Sequence, residues 1–256
     1  IAGGRVYFAK LLENFHDCTD FSIHCWFFLQ LYSKFWLEKS SLMVFNLSSE
    51  NTVGNHFMAQ LRDSGIQSDR MKFRKNLERL GQIMAYEISR NFTYRSRDID
   101  TPLGKSAIMM MEDEPILLTI LRAGLPFFQG FLDYYDRADC GFVGAYRQEG
   151  GNEIVIHLDY VATPDVGGRD VILIDPMLAT GKSLVRAIDA LNKAGVPRHV
   201  YIASLVAVPA GIDYIRQHVN VPCSIWTCAV DERLDEQFYI VPGLGDAGDL
   251  SFGAKR

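Results

Sequence analysis

Nine residues between a strand-like run and a helix-like run, Asp175 to Ser183, have the composition of an anion-binding loop. The preceding residues 171–174 are all aliphatic, which is typical of a parallel strand covered on both faces. Small residues and Gly181 leave backbone N–H groups free to point at a negative group, and the N-terminus of the following helix adds partial positive charge. Thr180 and Ser183 supply hydroxyl donors for phosphate oxygens. The pattern predicts a phosphate-binding loop, although this segment alone leaves an ordinary capped turn open.

The last three residues of this loop, Gly181, Lys182 and Ser183, are similar to the end of a P-loop, but the rest does not fit. A P-loop has a glycine five residues before its Gly-Lys-Ser unit. This chain has Pro176 there, which lacks an N–H donor and has a fixed φ. The sequence therefore argues against a P-loop kinase. Asp175, at the carboxyl end of the predicted strand, is instead expected to face the crevice in which α/β proteins bind ligands.

Two further strand-like runs each lead to an arginine. Ile116–Leu121 is followed by Arg122, and Cys140–Tyr146 is followed by Arg147. A guanidinium group presents a planar fork of donors that suits phosphate or diphosphate. For Arg122 taken alone, a surface ion pair with Asp133 or Asp136 is equally consistent with the pattern. Because the carboxyl ends of parallel strands meet at one edge of a sheet, the two together predict an anion site there.

A segment near the C-terminus, Tyr239 to Asp249, is rich in glycine and contains Pro242. This composition predicts an irregular loop with exposed backbone and no helix or regular strand. Main-chain N–H and C=O groups in such a loop are suited to a flat, uncharged base that offers alternating donors and acceptors. A flexible tail without function is the alternative.

Together these motifs resemble the uracil phosphoribosyltransferases. The strings that carry the resemblance are Asp-Pro-Met-Leu-Ala-Thr-Gly, Leu-Arg-Ala-Gly, Tyr-Arg and Tyr-Ile-Val-Pro-Gly-Leu-Gly-Asp-Ala-Gly-Asp, in family order, and the similarity runs from about Asn46 to Gly253. One residue departs from the family pattern, since Lys182 replaces the second glycine of a Gly-Gly-Ser unit. It either adds charge beside the phosphate or projects into solvent, and the second is favoured if the backbone path is kept.

The resemblance implies a reaction in which uracil displaces diphosphate from phosphoribosyl diphosphate and gives UMP, a step of pyrimidine salvage. Arg122, Arg147 and Asp175 are the residues it assigns to catalysis. Contacts to phosphoribosyl diphosphate are expected from Arg122, Arg147, Asp175, Pro176, Met177, Leu178, Ala179, Thr180, Gly181, Lys182, Ser183 and Asp246. Contacts to uracil are expected from Ile240, Gly245, Asp246 and Ala247. Mg²⁺ is the implied cofactor, held mainly by the substrate and not directly by protein ligands.

The alternation of strands and helices predicts an α/β fold with a doubly wound, mainly parallel sheet, as in type I phosphoribosyltransferases. Glu153–Tyr160 alternates like one limb of a hairpin and predicts a projecting β-arm that acts as a lid. Helices are predicted at 50–63, 69–89, 127–135, 184–194 and 210–218, and strands at 199–208 and 224–230. For residues 92–114 only the resemblance predicts strands, with a turn that contains Pro102.

The composition narrows the classes of partner. A net charge of −5 offers no basic field for nucleic acid, so binding of nucleic acid or membrane is not expected. The cysteines Cys18, Cys25, Cys140, Cys223 and Cys228 have no metal-type spacing and predict a reduced, cytoplasmic protein in which Cys223 and Cys228 are buried. The resemblance adds a nucleotide activator such as GTP and a homo-oligomer. A regulator of the same fold with little catalysis, and a purine phosphoribosyltransferase, are the competing hypotheses.

Residues 1–42 differ from the remainder, which is expected to be one phosphoribosyltransferase domain, 43–256. They hold ten aromatic residues and equal numbers of acids and bases. Their longest apolar run, Phe21–Tyr32, is too short to span a membrane. Either this extension binds a partner or lipid surface, or it is upstream sequence and the native protein starts at Met43. The second interpretation is favoured because the resemblance begins just after that methionine.

Overall fold

The computed structural model describes residues 42–148 and 155–254. The predictions on residues 1–41, including Cys18 and Cys25, and on the start of the arm at Glu153 fall outside this part of the chain. Within it, no helix combines the length and the apolar character needed to cross a membrane.

Twelve strands and six α-helices occur in the described residues, and a short 3-10 turn covers Leu47–Ser49. The strands are β1 (Met43–Asn46), β2 (Tyr94–Thr101), β3 (Gly104–Met111), β4 (Ile116–Leu121), β5 (Cys140–Gln148), β6 (Val155–Ala162), β7 (Asp170–Ile174), β8 (Met177–Leu178), β9 (His199–Ala207), β10 (Cys223–Val230), β11 (Arg233–Leu234) and β12 (Ile240–Val241). The helices are α1 (Gly54–Arg62), α2 (Arg70–Ser89), α3 (Leu125–Leu132), α4 (Lys182–Leu191), α5 (Pro209–His218) and α6 (Ala247–Phe252).

The main sheet has the strand order β1-β10-β9-β7-β4-β5-β6, with β8 beside β9. All of its pairings are parallel except that of β5 with β6. The central strands β4, β7 and β9 are almost entirely buried, as expected for aliphatic strands covered on both faces.

Helices cover both faces of the sheet. On one face, Phe73 and Leu77 of α2 and Phe127 of α3 pack with Trp226 in a single core cluster. On the other, α4 and α5 contribute Leu184, Ile188, Leu191, Ile212 and Ile215 to a second cluster. The predicted doubly wound α/β fold is therefore confirmed.

Two hairpins accompany this core. Strands β5 and β6 pair antiparallel, which confirms the predicted limb of an arm. Strands β2 and β3 form a separate two-stranded sheet whose turn contains Pro102, as the resemblance implied.

Several predicted boundaries are wrong by a few residues. Helix α1 begins at Gly54 rather than at residue 50, because Leu47–Ser49 forms a 3-10 turn in which Asn46 accepts the Ser48 N–H at 3.1 Å. Helix α3 begins at Leu125 rather than at residue 127, because Pro126 fits the first turn, where an N–H has no intrahelical partner. Arg147 lies inside β5 and not beyond its end. Cys228 is buried as predicted, whereas Cys223, at the first position of β10, is only partly buried.

Candidate functional site

A cleft of about 360 Å³ opens at the carboxyl edge of the parallel sheet. It is lined by the exits of β4 and β7, by the loop that leads to α4, and by the segment before and within α6. Its lining residues are Ile120, Leu121, Arg122, Ala123, Ala145, Asp175, Met177, Ala179, Thr180, Gly181, Ser183, Leu184, Phe238, Tyr239, Ile240, Gly245, Asp246, Ala247 and Gly248. The phosphate-type loop, the exit of β4 at Arg122 and the segment from Tyr239 to Asp249 therefore meet at one place.

The loop from Asp175 to Ser183 turns sharply into α4. Gly181 is the residue before this helix and has φ 75°, a left-handed conformation that favours glycine. Gly181 has no side chain to cap the helix, and the Lys182 N–H makes only a long hydrogen bond of 3.5 Å to Thr180 Oγ1. The first N–H groups of α4 are thus available to an anion in the cleft.

Helix α5 packs against this loop. A Cβ atom added to Gly211 would lie 2.3 Å from the carbonyl oxygen of Ala179, so the helix and the loop are in direct backbone contact. Only glycine permits this approach. The loop is therefore held by packing against α5, which leaves its other side open to the cleft.

Not every residue of the predicted loop reaches the cleft. Leu178 is buried in the core cluster beside α4 and α5, and Pro176 is buried as well. The carbonyl of Pro176 accepts from the N–H groups of Leu205 and Val206, so these residues anchor the loop to β9. Lys182 is partly buried at the first turn of α4 and is not among the lining residues.

Asp175, directly after β7, lines the cleft. The residue is partly exposed, and its carboxylate accepts one hydrogen bond, from the Met177 N–H at 3.4 Å. Enclosure by the surrounding protein raises the pKa of this group to about 7, and the Met177 hydrogen bond opposes part of the rise. Asp175 can therefore change its charge near neutral pH.

Arg122 joins the exit of β4 to the C-terminal helix. Its Nη2 donates to Asp249 Oδ1 at 2.7 Å and to the carbonyl of Gly253 at 2.9 Å. Its Nε is buried and has no hydrogen-bond partner among the described residues. The ion-pair partner is thus a distant acid, and the guanidinium keeps a buried donor for a ligand. The Leu121–Arg122 peptide bond is cis.

The backbone of Arg147 lies in β5, where it pairs with Ile156. Its side chain is outside the part of the chain that the structure describes. Ala145 of the same strand lines the cleft.

The segment from Tyr239 to Asp249 is more regular than predicted. Its start forms β12, which pairs with β11, and its end forms the first turn of α6. The side chain of Asp246 caps this helix by accepting the Asp249 N–H at 2.9 Å. The prediction of an irregular loop holds only for the residues between, where Gly243 and Gly245 have φ of 60° and 85°.

A polar network that contacts this segment was not predicted from the sequence. Asp231 is 8% exposed and accepts from both Nη atoms of Arg62 at 2.8 Å and from the Gly243 N–H at 2.8 Å. The Nη1 of Arg62 also donates to the carbonyl of Gly243 at 3.0 Å. Asp231 directly follows the carboxyl end of β10, so its place in the sequence is the signal that could have found it, as it did for Asp175.

The described residues contain no group of three or more His, Cys, Asp or Glu side chains arranged to hold a metal ion. Two carboxylates, Asp175 and Asp246, do line the cleft.

A doubly wound sheet that combines a strand-loop-helix phosphate cradle with an arginine at the neighbouring strand exit defines a phosphoribosyltransferase of type I architecture. A solved protein from Aquifex aeolicus has this fold, with a TM-score of 0.73 and 32% identity over 82% of this chain and 98% of that one. The family model "Uracil phosphoribosyltransferase" matches residues 48–254.

Curated relatives agree with this match. A uracil phosphoribosyltransferase of Porphyromonas gingivalis is 46% identical over 83% of this chain and 99% of its own length. One of Limosilactobacillus fermentum is 38% identical over 78% of this chain and 94% of its own length. The chain belongs to the uracil phosphoribosyltransferase family.

Proposed function

We propose that the protein transfers the phosphoribosyl group of phosphoribosyl diphosphate to uracil. The bond between C1 of the ribose and the diphosphate breaks, the bond between C1 and uracil forms, uracil loses a proton, and UMP and diphosphate leave. One observation carries the proposal: the phosphate-type loop, Arg122 and the segment around Asp246 share a single cleft. Such a cleft suits a substrate with a phosphate at one end and a base at the other.

The loop is proposed to bind the 5-phosphate. The start of α4 and the residues Thr180 and Ser183 line the cleft, and their backbone N–H and hydroxyl groups are the donors that a phosphate dianion requires. Fixing the phosphate orients C1 relative to the base, which lowers the entropic part of the barrier.

The main contribution to the reaction barrier is the separation of charge in the transition state. Diphosphate leaves as a polyanion, which cations can stabilise, while the ribose gains positive character, which a carboxylate can stabilise. Arg122, whose Nε has no partner in the described residues, suits the diphosphate, and Arg147 is proposed for the same task from its place in β5. Asp175 and Asp246 suit contacts with ribose hydroxyls.

Mg²⁺ fits the acidic groups of this cleft. The ion favours one or two carboxylates together with waters and substrate phosphates over an all-protein cage. Asp175 and Asp246, both in the cleft lining, are the residues that would hold it through its waters. When bound, the ion would neutralise charge on the diphosphate.

The main chain near Asp246 is proposed to recognise uracil. Ile240 and Ala247 are buried in the wall of the cleft, and Gly245 exposes its backbone with φ 85°. Main-chain donors and acceptors suit an uncharged base because no charged partner is needed.

The assembly proposed for the protein is a homo-oligomer. The hairpin β2–β3 pairs with no other strand of the described chain, and Ile108, Met109 and Met110 are 43%, 59% and 40% exposed. Exposed apolar side chains on an isolated hairpin favour contact with a second copy.

The proposal of a nucleotide activator such as GTP depends on the family resemblance alone. A cytoplasmic location agrees with the free thiols of Cys140, Cys223 and Cys228.

The test is a transfer assay with phosphoribosyl diphosphate, Mg²⁺ and one base at a time. Uracil is expected to give UMP, and hypoxanthine is expected to give no nucleotide. Turnover of hypoxanthine alone would identify a purine enzyme. Absence of turnover together with salt-sensitive RNA binding would identify a regulator.

A further inference from the structure

The turn at Gly243, inside the proposed base-binding segment, is held by a partly buried ion pair, one member of which lies far away in the sequence. Arg62, the last residue of α1, and Asp231, which follows β10, form two hydrogen bonds of 2.8 Å. Between them they bind both polar groups of Gly243: Asp231 accepts its N–H, and Arg62 donates to its carbonyl. These three residues are named the turn clamp below.

The geometry of Gly243 leaves little freedom at this point. Its φ is 60°, and a Cβ atom here would lie 2.1 Å from the carbonyl oxygen of Ile240. Gln67 adds a second support, since its Nε2 donates to the carbonyls of Leu61 at 2.9 Å and Leu244 at 3.3 Å. Two successive carbonyls of the turn are therefore tied to α1 and the residues that follow it.

The turn clamp does not itself reach the cleft, but its neighbours in the chain do. Ile240 lies three residues before Gly243 and Gly245 two residues after it, and both line the cleft, whereas Arg62, Asp231 and Gly243 do not. A base that is read by main-chain groups cannot be accommodated by a change of side-chain rotamer. The orientation of the peptide units then depends on what fixes the turn.

We propose that Arg62 and Asp231 are positioning residues that set the affinity for the pyrimidine base by fixing the turn at Gly243. The inference rests on the proposed function, because it assigns the base to this wall of the cleft. In the described residues, the hydrogen bonds that Arg62 and Asp231 make outside α1 go to each other, to Gly243 and to Ala207, and none goes to the phosphate loop or α5. Binding of phosphoribosyl diphosphate should therefore depend on the turn clamp far less.

The natural comparison is a second bidentate pair in the same molecule. Arg198 binds Asp170 through Nε at 2.9 Å and Nη2 at 2.7 Å, and Asp170 is 9% exposed. This pair lies at the amino edge of the sheet, away from the cleft. It matches the turn clamp in bidentate chemistry and in burial of the acid, with the arginine 50% exposed against 25% for Arg62. It therefore reports what the loss of such a pair does away from the cleft.

The experiment measures KM for uracil, KM for phosphoribosyl diphosphate, kcat and Tm in Arg62→Lys and Asp231→Asn, with Arg198→Lys and Asp170→Asn as matched controls. Lysine keeps the charge but not the two-point contact. We expect KM for uracil to rise at least tenfold in the clamp variants, with KM for phosphoribosyl diphosphate changed less than twofold. The control variants should lose thermal stability without either change.

Equal rises in the two KM values, or a loss of kcat and Tm with unchanged KM for uracil, would overturn the proposal. Gln67→Met serves if the clamp variants do not fold, because it releases the Leu244 carbonyl and leaves the ion pair intact. A threefold or greater rise in KM for uracil is expected there, and no rise would also overturn it. A wild-type protein that makes no UMP would instead refute the proposed function, and the inference with it.

Discussion

An aspartate lies at each end of strand β7, and the two carboxylates differ in the hydrogen bonds that they accept. Asp170 starts the strand and receives two short hydrogen bonds from Arg198. Asp175 follows the strand and receives one hydrogen bond of 3.4 Å, with a pKa raised to about 7 by its enclosure. Five positions thus separate a carboxylate with two short hydrogen bonds from one with a single long hydrogen bond.

The same contrast extends along the two edges of the sheet. At the amino edge, Ser224 Oγ lies 2.9 Å from His199 Nε2 and 3.2 Å from Trp226 Nε1, so the polar groups there satisfy one another. At the carboxyl edge, the buried Nε of Arg122 has no partner among the described residues. Buried polar groups without partners are costly. They are therefore expected where a ligand supplies the missing partner.

The largest effect is expected from Arg122→Ala, which removes the cation at the carboxyl edge. Turnover should fall at least tenfold, and about a hundredfold if the guanidinium acts as one transition-state donor. Steady-state kinetics measure the loss, and circular dichroism checks that α6 stays folded without its contacts to Asp249 and Gly253. Arg198→Ala is the control at the amino edge. Near-normal kinetics for Arg122→Ala would contradict the proposal that polar groups at the carboxyl edge bind the ligand while those at the amino edge serve only stability.

A smaller effect is expected from Gly211→Ala, which disturbs the support of the phosphate loop. The new Cβ would lie 2.3 Å from the Ala179 carbonyl, so helix and loop must separate. We expect a loss of about 2 kcal/mol in the free energy of unfolding, in the range of overpacked sites, and a higher KM for phosphoribosyl diphosphate. Urea unfolding and kinetics provide the measurements. The control is Ala210→Ser at the neighbouring exposed position, which should change neither the free energy of unfolding nor KM for phosphoribosyl diphosphate. An unaltered KM in Gly211→Ala would show that the loop does not need this contact.

Asp175→Asn should stabilise the ligand-free protein, and more so at high pH. A carboxyl whose pKa is higher in the folded protein binds more protons when folded, here between about pH 4 and pH 7. The free energy of unfolding therefore decreases as pH rises through this window and is constant above it. Asparagine resembles the protonated form and escapes this loss. After allowance for partial exposure, we expect a gain of about 1 kcal/mol at about pH 8, and less at about pH 5.

Urea denaturation at the two pH values, without substrate or Mg²⁺, measures this gain. The variant should at the same time be a poorer catalyst. A loss of stability at high pH would mean that the Asp175 carboxylate is a structural group like Asp170.

The smallest effect is expected from Asp170→Asn at the other end of the strand. Half of the Arg198 side chain is exposed, so it can return to water when its partner is lost. We expect a loss below about 1 kcal/mol, with kcat and both KM values unchanged. A kinetic defect in this variant would show that the amino edge is coupled to the cleft.

Much of the site follows from runs of adjacent residues. The loop from Asp175 to Ser183 was predicted because a buried strand, a glycine and a helix start follow one another directly. Arg122 was predicted because it comes after a buried strand, and the doubly wound, mainly parallel sheet was predicted from the alternation of strands and helices. These inferences need only local patterns and the rule that parallel strands present their carboxyl ends at one edge.

The conformation of the segment around Asp246 could not be predicted from local sequence patterns. Its glycines and proline predicted an irregular loop, yet the antiparallel pairing of Arg233 with Val241 and the cap formed by Asp246 create a short strand and a helix. The family resemblance assigned the segment to the base, while its conformation depends on contacts outside it.

The sequence by itself determined the strand–loop–helix unit, the position of Arg122 at a strand exit, and the family, since each is encoded by neighbouring residues. Only the tertiary structure decided that Arg122 pairs with Asp249 across 127 positions and Arg62 with Asp231 across 169. The raised pKa of Asp175 was decided there too. Such pairings and pKa values depend on which distant segments the packed sheet brings together and how much water they exclude, and no local pattern contains that information.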